Sequence, residues 1–305
     1  MIYTITLNPA LDYTIDIKKL ILNKINTSEN EYILPGGKGI NVSIILKRLE
    51  IESIALGFIS GFTGKEIKRL VENENVKTDF INIEKGSSRI NVKILEENNE
   101  TAINTTGPLV HNQDIENLYK KLDILKENDI LVLSGSIPKG ISEDIYEAIC
   151  ARVQEKKVKI VVDATKDLLL KTLKYKPFLI KPNHHELGEI FNLKITNKEQ
   201  ALEYAQKLRQ KGAKNVLVSM GSNGSVLLDE DGKTYKKDII KKKNAINTVG
   251  AGDSMVAGFL AGYLKYQNYE DALNLAVSSA TATVNSVYLG TKDEIIEYFN
   301  SFLAK

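Results

Sequence analysis

The sequence predicts an α/β fold in which a doubly wound, mainly parallel sheet is covered by helices on both faces. Short apolar segments such as residues 130–133 and 216–218 recur along the chain, and amphipathic segments such as residues 141–156 separate them. Apolar runs without alternation are typical of parallel strands that are buried on both sides. The regular alternation of such strands with helical segments along the chain predicts the doubly wound arrangement.

The predicted core strands are five apolar runs, at residues 54–56, 130–133, 160–162, 178–180 and 216–218. Helices are predicted at residues 141–156 and 198–211, where apolar positions recur with helical spacing. A further helix is predicted after Asp253, because Met255, Phe259 and Tyr263 recur every four residues.

Two other segments alternate between apolar and polar residues, as Tyr13, Ile15 and Ile17 do. Half-exposed antiparallel strands have this pattern. We therefore expect an α/β core formed by residues 1–10, 36–79 and 105–305, and a small antiparallel sheet formed by residues 11–35 and 80–104. This sheet is either a lid over an active site or an extension of the core sheet's edge.

The composition indicates a packed globular protein with no strong charge bias. Of the 305 residues 43% are apolar, and 41 basic residues against 39 acidic ones give a net charge of +2. This balance favours neither a nucleic-acid nor a membrane partner. The basic segment at residues 236–243 is interpreted as a solvated hairpin or loop. The single cysteine, Cys150, has apolar neighbours at helical spacing and is predicted to be a buried structural thiol.

The N-terminus lacks the basic and apolar regions of a signal peptide, and no apolar stretch reaches the roughly 18 residues of a membrane span. A cytoplasmic protein is expected.

The most informative motif is residues 247–254. Gly250, Ala251 and Gly252 come at the start of the predicted helix, where unpaired N–H groups and the helix dipole can hold an anion. Two interpretations of Asp253 are open. It is either a surface residue that is favoured by the dipole, or a base beside a phosphate cradle.

A second glycine motif at residues 36–43 also leads into a predicted helix. It is either a flexible helix entry with Lys38 in solvent, or a substrate cradle in which Lys38 reaches a phosphate and Asn41 binds hydroxyl groups. Common nucleotide motifs are absent. The nearest P-loop candidate, at Gly64, has Ile59 and Glu66 where glycine and a hydroxyl residue are required, and no Gly-x-Gly-x-x-Gly follows an early strand.

Together these motifs resemble the ribokinase-like (phosphofructokinase B) carbohydrate kinase family nearly from end to end. The segment from Asn8 to Asp12 is similar to the opening of that family, residues 36–43 resemble its first signature and residues 249–254 its second. Asn183-x-x-Glu186 resembles a family element that positions magnesium and phosphate. Asn247 departs from the aspartate that many members carry.

The resemblance implies a role for each matching residue. Asp253 would be the catalytic base, with an anion hole at Gly250, Ala251 and Gly252. The implied substrate-binding residues are Asp12, Gly36, Gly37, Lys38, Asn41 and Arg89, and Asp253 itself. Arg89 is otherwise an exposed charge on a strand, but its planar guanidinium suits phosphate capture. Gly135 follows a predicted strand, where α/β proteins bind ligands, and is assigned to the substrate side.

ATP and Mg²⁺ are the implied cofactors. The implied ATP-binding residues are Lys181, Asn183, Ser219, Gly221, Gly224, Thr248, Gly250 and Gly252, with Glu186 as the magnesium ligand. The adjacent His184 and His185 have no third histidine or cysteine nearby, so a zinc site is not expected.

The activity that the resemblance implies is phosphorylation of fructose 1-phosphate at its 6-hydroxyl by ATP. The alternatives are phosphorylation of tagatose 6-phosphate and, from another class, a non-catalytic sugar-phosphate-binding homologue. The expected partners are ATP, a ketohexose monophosphate and a second copy of the chain that pairs through the lid.

Overall fold

A computed structural model describes residues 1–97, 99–240, 246 and 248–303 of the chain. In chain order the described strands are β1 (Ile2–Thr6), β2 (Ala10–Asp16), β3 (Asn30–Gly36), β4 (Ser53–Ser60), β5 (Lys77–Thr78), β6 (Ile81–Ile83), β7 (Arg89–Leu95), β8 (Glu100–Asn104), β9 (Ile130–Ser134), β10 (Lys159–Asp163), β11 (Leu179–Ile180), β12 (Asn215–Ser219), β13 (Ser225–Leu228) and β14 (Thr234–Lys237).

The described α-helices are α1 (Lys38–Arg48), α2 (Gly61–Asn73), α3 (Asn112–Leu122), α4 (Ile145–Val153), α5 (Lys166–Thr172), α6 (His184–Phe191), α7 (Lys198–Gln210), α8 (Ala251–Tyr266), α9 (Tyr269–Val284) and α10 (Lys292–Leu303). The described part of the chain has no helix that combines the length and the apolar character needed to cross a bilayer.

The larger sheet has the strand order β14-β13-β12-β11-β10-β9-β1-β4-β5, with β6 beside β4. Neighbouring strands from β12 to β5 are parallel, and β13 and β14 join antiparallel at one edge. The mainly parallel sheet is therefore confirmed. In the basic segment Lys236 and Lys237 belong to β14, and residues 241–243 lie outside the described residues.

Both faces of this sheet are covered, because successive strand residues point to opposite sides. Ile130 and Val132 of β9 pack in a core with residues of α1, α2, α8, α9 and α10. Leu131 and Leu133 pack on the other face with residues of α3 to α7. Cys150 of α4 is buried in this second core, and burial raises the pKa of its thiol to about 12, as befits a structural thiol.

The smaller sheet has the order β3-β2-β7-β8. The pairs β2–β3 and β7–β8 are antiparallel, as predicted, but β2 and β7 are parallel. The parallel pair arises because both strands leave the core in the same direction, with Ala10 beside Arg89 at their start. Strand β6 pairs with β4 of the core although the sequence placed it in the small sheet. The lid boundaries at 11–35 and 80–104 remain a prediction.

Candidate active site

A cavity of about 500 Å³ lies at the carboxyl ends of the parallel strands, where the smaller sheet meets the core. Thr6 ends β1 and Ser219 ends β12, and both line the cavity. Ligands of open α/β sheets bind at this edge because the strand ends and the helix N-termini face it. The predicted site residues that line the cavity are Asp12, Gly37, Lys38, Asn41, Arg89, Gly135, Lys181, Asn183, Glu186, Ser219, Gly250, Gly252 and Asp253.

Two helices begin at the cavity with glycine at their N-caps. Gly37 precedes α1 with φ 132° and Gly250 precedes α8 with φ 78°, and neither glycine provides a side-chain cap, although the Ile40 N–H of α1 donates to Thr6 Oγ1. An uncapped first turn leaves N–H groups that can donate to an anion, and the helix dipole adds positive potential. A side chain at position 250 would meet the Leu289 side chain at 2.7 Å. The arrangement can therefore hold phosphate oxygens.

Asp253 lies in the first turn of α8 and is 6% exposed. Asn41 Nδ2 donates to Asp253 Oδ2 at 2.7 Å. Burial raises the pKa of Asp253 from its usual 3.8 to about 6, and the charge of Asp163 adds to the rise, while Lys38, Asn41 and Lys181 oppose it. A carboxylate with a pKa just below neutrality is ionised at pH 7 and accepts a proton better than an ordinary aspartate. Burial excludes the interpretation of Asp253 as a surface residue.

Asp163, at the end of β10, holds two lysines of the cavity. The Nζ atoms of Lys38 and Lys181 each lie 3.3 Å from Asp163 Oδ1. Burial acts to raise the pKa of Asp163, but the charges of Lys181 and Lys38 outweigh it and keep this pKa below its usual value. Burial likewise acts to lower the pKa of Lys38, but Asp163, Asp253 and Glu186 raise it overall. Asp163 and Lys38 are thus both charged at neutral pH.

Asp12 and Arg89 reach the cavity from the smaller sheet. Asn91 Nδ2 donates to Asp12 Oδ1 at 2.8 Å. Gly36 lies beneath the Asp12 carboxylate rather than in the cavity wall, and a Cβ atom there would lie 2.6 Å from the carboxylate. Burial lowers the pKa of Arg89, and Asp12 opposes that shift. Arg89 Nε is buried and has no hydrogen-bond partner among the described residues, so its N–H can donate to a ligand.

Asn183 and Glu186 form the capping box of α6. Asn183 Oδ1 accepts from the His185 and Glu186 N–H groups at 2.8 and 2.9 Å, and Asn183 N–H donates to Glu186 Oε2 at 2.8 Å. The motif therefore has a structural role at the N-terminus of α6. Both residues also line the cavity.

The residues near Glu186 fit Mg²⁺ better than a transition metal. Glu186 uses Oε2 in the cap, which leaves Oε1 for a cation. Mg²⁺ binds to one or two carboxylates plus waters and substrate phosphates, and needs no protein cage. Across the described ranges no three histidine, cysteine or acidic side chains gather in a metal cluster. The rings of His184 and His185 lie tilted against each other, with their centroids 3.9 Å apart.

Four predicted residues besides Gly36 do not line the cavity. Gly221 and Gly224 form the turn between β12 and β13, and a Cβ at Gly224 would lie 2.1 Å from the Lys237 carbonyl oxygen. Thr248 is exposed, and its carbonyl accepts from the Ala251 N–H at 3.4 Å. Their predicted roles stay predictions, as does that of Ala251. Asn247 lies outside the described residues.

Sequence reasoning missed two residues of the site, Thr6 and Asp163, and gave no individual role to Asn8, Ser136 and Val249, which lie in segments that it had singled out. Asp163 had a detectable signal, because it directly follows a predicted strand whose carboxyl end lies at the ligand-binding edge. Thr6 Oγ1 accepts from the Ile40 N–H at 3.0 Å and so ties β1 to α1. Nothing local to Thr6 reveals that contact.

Comparison with known proteins gives consistent matches over nearly the whole chain. A profile described as "pfkB family carbohydrate kinase" matches residues 6–295. A Bacillus subtilis protein named 1-phosphofructokinase is 44% identical over 293 residues, covering 96% of this chain and 95% of the relative. A Bacillus licheniformis protein named D-tagatose-1-phosphate kinase is 36% identical over 291 residues, covering 95% and 94%.

A solved structure shares the fold closely. The crystal structure of phosphofructokinase-2 from Escherichia coli, in complex with substrates and products, superposes with a TM-score of 0.92. The two sequences are 25% identical, and the match covers 100% of this chain and 99% of the other.

Proposed function

The chain belongs to the pfkB family of carbohydrate kinases, and on that basis we propose that it transfers the γ-phosphoryl group of ATP to the 6-hydroxyl of fructose 1-phosphate. The products are fructose 1,6-bisphosphate and ADP. The observation that carries the proposal is the buried Asp253 at the N-terminus of α8, in one cavity with Lys38 and Arg89.

In the proposed reaction the oxygen of the sugar 6-hydroxyl bonds to the γ-phosphorus of ATP while the bond from that phosphorus to the ADP oxygen breaks. Asp253 accepts the proton that the 6-hydroxyl loses. The N–H groups at the start of α8 neutralise the oxygens of the transferring group. Lys181 contributes positive charge on the same side, because its Nζ would lie 3.2 Å from a Cβ at Gly252. Mg²⁺ would be held by Glu186 and waters, and would neutralise charge on the ATP phosphates.

The charges of the cavity favour a substrate that already carries a phosphate. Arg89 on β7 and Lys38 on α1 both line the cavity, and Arg89 has a buried donor without a protein partner in the described part. Lys38 is already paired with Asp163, but an uncharged sugar or nucleoside would leave the buried Arg89 donor without an anionic partner, which is costly in a partly buried site. A non-catalytic homologue would not need to bury an ionisable carboxylate beside an anion site.

A tagatose phosphate is the second candidate substrate. The sequence suggested tagatose 6-phosphate, which would bind with the sugar turned end to end. The Bacillus licheniformis relative is instead named for D-tagatose 1-phosphate. This substrate presents the same 6-hydroxyl as fructose 1-phosphate and differs only in the configuration at C4, so it needs no reversal in the site.

A coupled assay of ADP release tests the proposal, with ATP, Mg²⁺ and each of five acceptors: fructose 1-phosphate, tagatose 1-phosphate, tagatose 6-phosphate, fructose 6-phosphate and fructose. We expect kcat/KM for fructose 1-phosphate to lead by about tenfold or more, equal to roughly 1.4 kcal/mol of transition-state stabilisation. A lead for either tagatose phosphate would change the substrate and keep the mechanism. No turnover of any acceptor would contradict the proposed function.

The proposed assembly is a homodimer that pairs through the smaller sheet, in a cytoplasmic location where sugar phosphates and ATP are present. Apolar side chains are exposed on this sheet and its β2–β3 loop, including Leu22 at 78%, Ile33 at 52% and Ile103 at 56%. Pairing of these surfaces would remove them from water. A monomer in sedimentation at micromolar concentration would contradict the dimer.

A further inference from the structure

Asn91 is directly opposite Asp12 in the smaller sheet, where β7 and β2 pair in parallel. Its Nδ2 donates to Asp12 Oδ1 at 2.8 Å. We propose that Asn91 is a positioning residue that fixes the Asp12 carboxylate for binding of sugar hydroxyl groups, and thereby sets the KM for the sugar phosphate. The inference rests on the proposed function, because it takes the cavity ligand to be a sugar phosphate.

The Asp12 carboxylate is held from two sides. On one side the carboxylate packs against Gly36 of β3. The contact is so close that a Cβ atom at Gly36 would lie 2.6 Å from Cγ and from both oxygens of Asp12. Asn91 engages Oδ1 from β7. Among the described residues Oδ2 has no hydrogen-bond donor, and Asp12 lines the cavity. The two supports therefore leave one carboxylate oxygen for a ligand.

Asn91 also prevents a competing ion pair. Arg89 is two residues before Asn91 on β7, so both side chains lie on the same face of the strand. Asp12 acts on Arg89 electrostatically, since it opposes the fall in the pKa of Arg89. Without the Asn91 amide, Asp12 is free to turn towards Arg89. In the resulting ion pair, Asp12 could no longer accept from the sugar hydroxyl groups and Arg89 could no longer donate to the substrate's phosphate.

The expected effect is on sugar affinity and not on ATP. A hydrogen bond to a charged group is stronger than one between neutral groups, and a preorganised carboxylate avoids the entropic cost of ordering on binding. Loss of Asn91 should therefore raise the KM for the sugar phosphate by about tenfold. The predicted ATP-binding residues Lys181 and Asn183 follow β11 in the larger sheet, whereas Asn91 lies on β7 in the smaller sheet.

Asn104 offers a matched control. It is opposite Asn91 on β8 in the same sheet and is exposed. Asn104→Ala removes the same type of side chain from the neighbouring strand and leaves the hydrogen bond to Asp12 in place. It therefore measures how far the loss of an asparagine from this sheet changes the kinetics by itself.

The test is steady-state kinetics of N91A, N104A, D12A and the double variant D12A/N91A, together with calorimetric binding of the sugar phosphate. We expect N91A to raise the KM for the sugar phosphate about tenfold while the KM for ATP stays within about twofold, and N104A to match the wild type. In the D12A background N91A should add less than about twofold, because Asn91 acts through Asp12.

An equal effect of N91A in both backgrounds, or an equal rise in both KM values, would overturn the proposal and show a role in sheet packing. If N91A fails to fold, the isosteric N91D keeps the test valid, since it places a second carboxylate beside Asp12 and should raise the sugar KM at least as much. If the wild type binds the sugar phosphate without turning it over, the proposed function fails, and calorimetry still tests the role of Asn91.

Discussion

At the scale of single residues, the site contains two buried carboxylates whose pKa values are shifted in opposite directions. Asp163 has two lysine partners at 3.3 Å, and their charges keep its pKa low. Asp253 has one neutral amide partner and feels the charge of Asp163, so its pKa rises to about 6. Two carboxylates with separated pKa values are a common arrangement in enzymes that divide charge stabilisation from proton transfer.

The raised pKa of Asp253 has a consequence for stability. Between its usual value of 3.8 and its folded value of about 6, the folded chain binds more protons than the unfolded chain. Stability therefore falls as pH rises through this window, and the ionised group costs about 3 kcal/mol above it. Asp253→Asn removes the charge and keeps an oxygen that can accept from Asn41.

We expect Asp253→Asn to raise the free energy of unfolding by up to about 3 kcal/mol at about pH 8, and by about half as much at about pH 5. Urea unfolding of the two proteins at both pH values measures this difference. Asp231→Asn, at an exposed turn, is the control and should change stability little at either pH. A destabilised Asp253→Asn protein at about pH 8 would contradict the raised pKa.

The location of a residue at the cavity was predictable where a motif surrounds that residue. Asp253 and Lys38 each follow a glycine motif at a helix start, which marks them as candidates. Asp163 and Asn91 have no such context. An aspartate after a strand can equally serve as a helix cap, and the contact between Asn91 and Asp12 depends on strand pairing across 79 residues of sequence.

At the scale of secondary-structure elements, the N-terminus of α8 determines what can approach Asp253. Gly252 has ordinary helical geometry, so an alanine there is compatible with the backbone. Its Cβ would lie 3.2 Å from Lys181 Nζ and 3.6 Å from Cε, in the space that an anion would use. Gly250 differs, because its φ of 78° favours glycine itself.

Gly252→Ala should therefore lower kcat by at least about tenfold while the protein keeps or gains stability, since alanine exceeds glycine in helix propensity by about 1 kcal/mol. Turnover and thermal unfolding of the variant measure the two effects. Gly64→Ala in α2 should show the reverse pattern, with lower stability and near-normal kcat, because its Cβ meets the Ile59 side chain at 3.0 Å away from the cavity. A Gly252→Ala variant with normal kcat would contradict an anion site at this helix.

The elements themselves were predictable to different degrees. Continuously apolar strands such as β9 and β12 have a strong local signal, and so does the amphipathic helix α8. The three-residue β6 lacks enough sequence to show which sheet it joins, and its pairing with β4 is decided by the core. The parallel contact of β2 with β7 likewise depends on two distant segments leaving the core side by side.

At the scale of the whole molecule, the cavity exists because three layers meet at one edge of the large sheet. Helices α1 and α8 supply N-termini from one face, the strand ends supply Asp163 and Ser219, and the smaller sheet supplies Asp12 and Arg89. The sequence predicts the layers through their periodicity. The convergence of Lys38 and Asp163, which are 125 residues apart, follows only from the packed topology.

The central claim is that Asp253 is the base of a sugar kinase, and it is tested most directly by the kcat of Asp253→Asn with the preferred acceptor. We expect kcat to fall by about a thousandfold while the KM values of ATP and the sugar phosphate stay within about threefold, because general bases contribute roughly two to four orders of magnitude to rate. A kcat within about tenfold of the wild type, in a folded protein, would contradict the assignment.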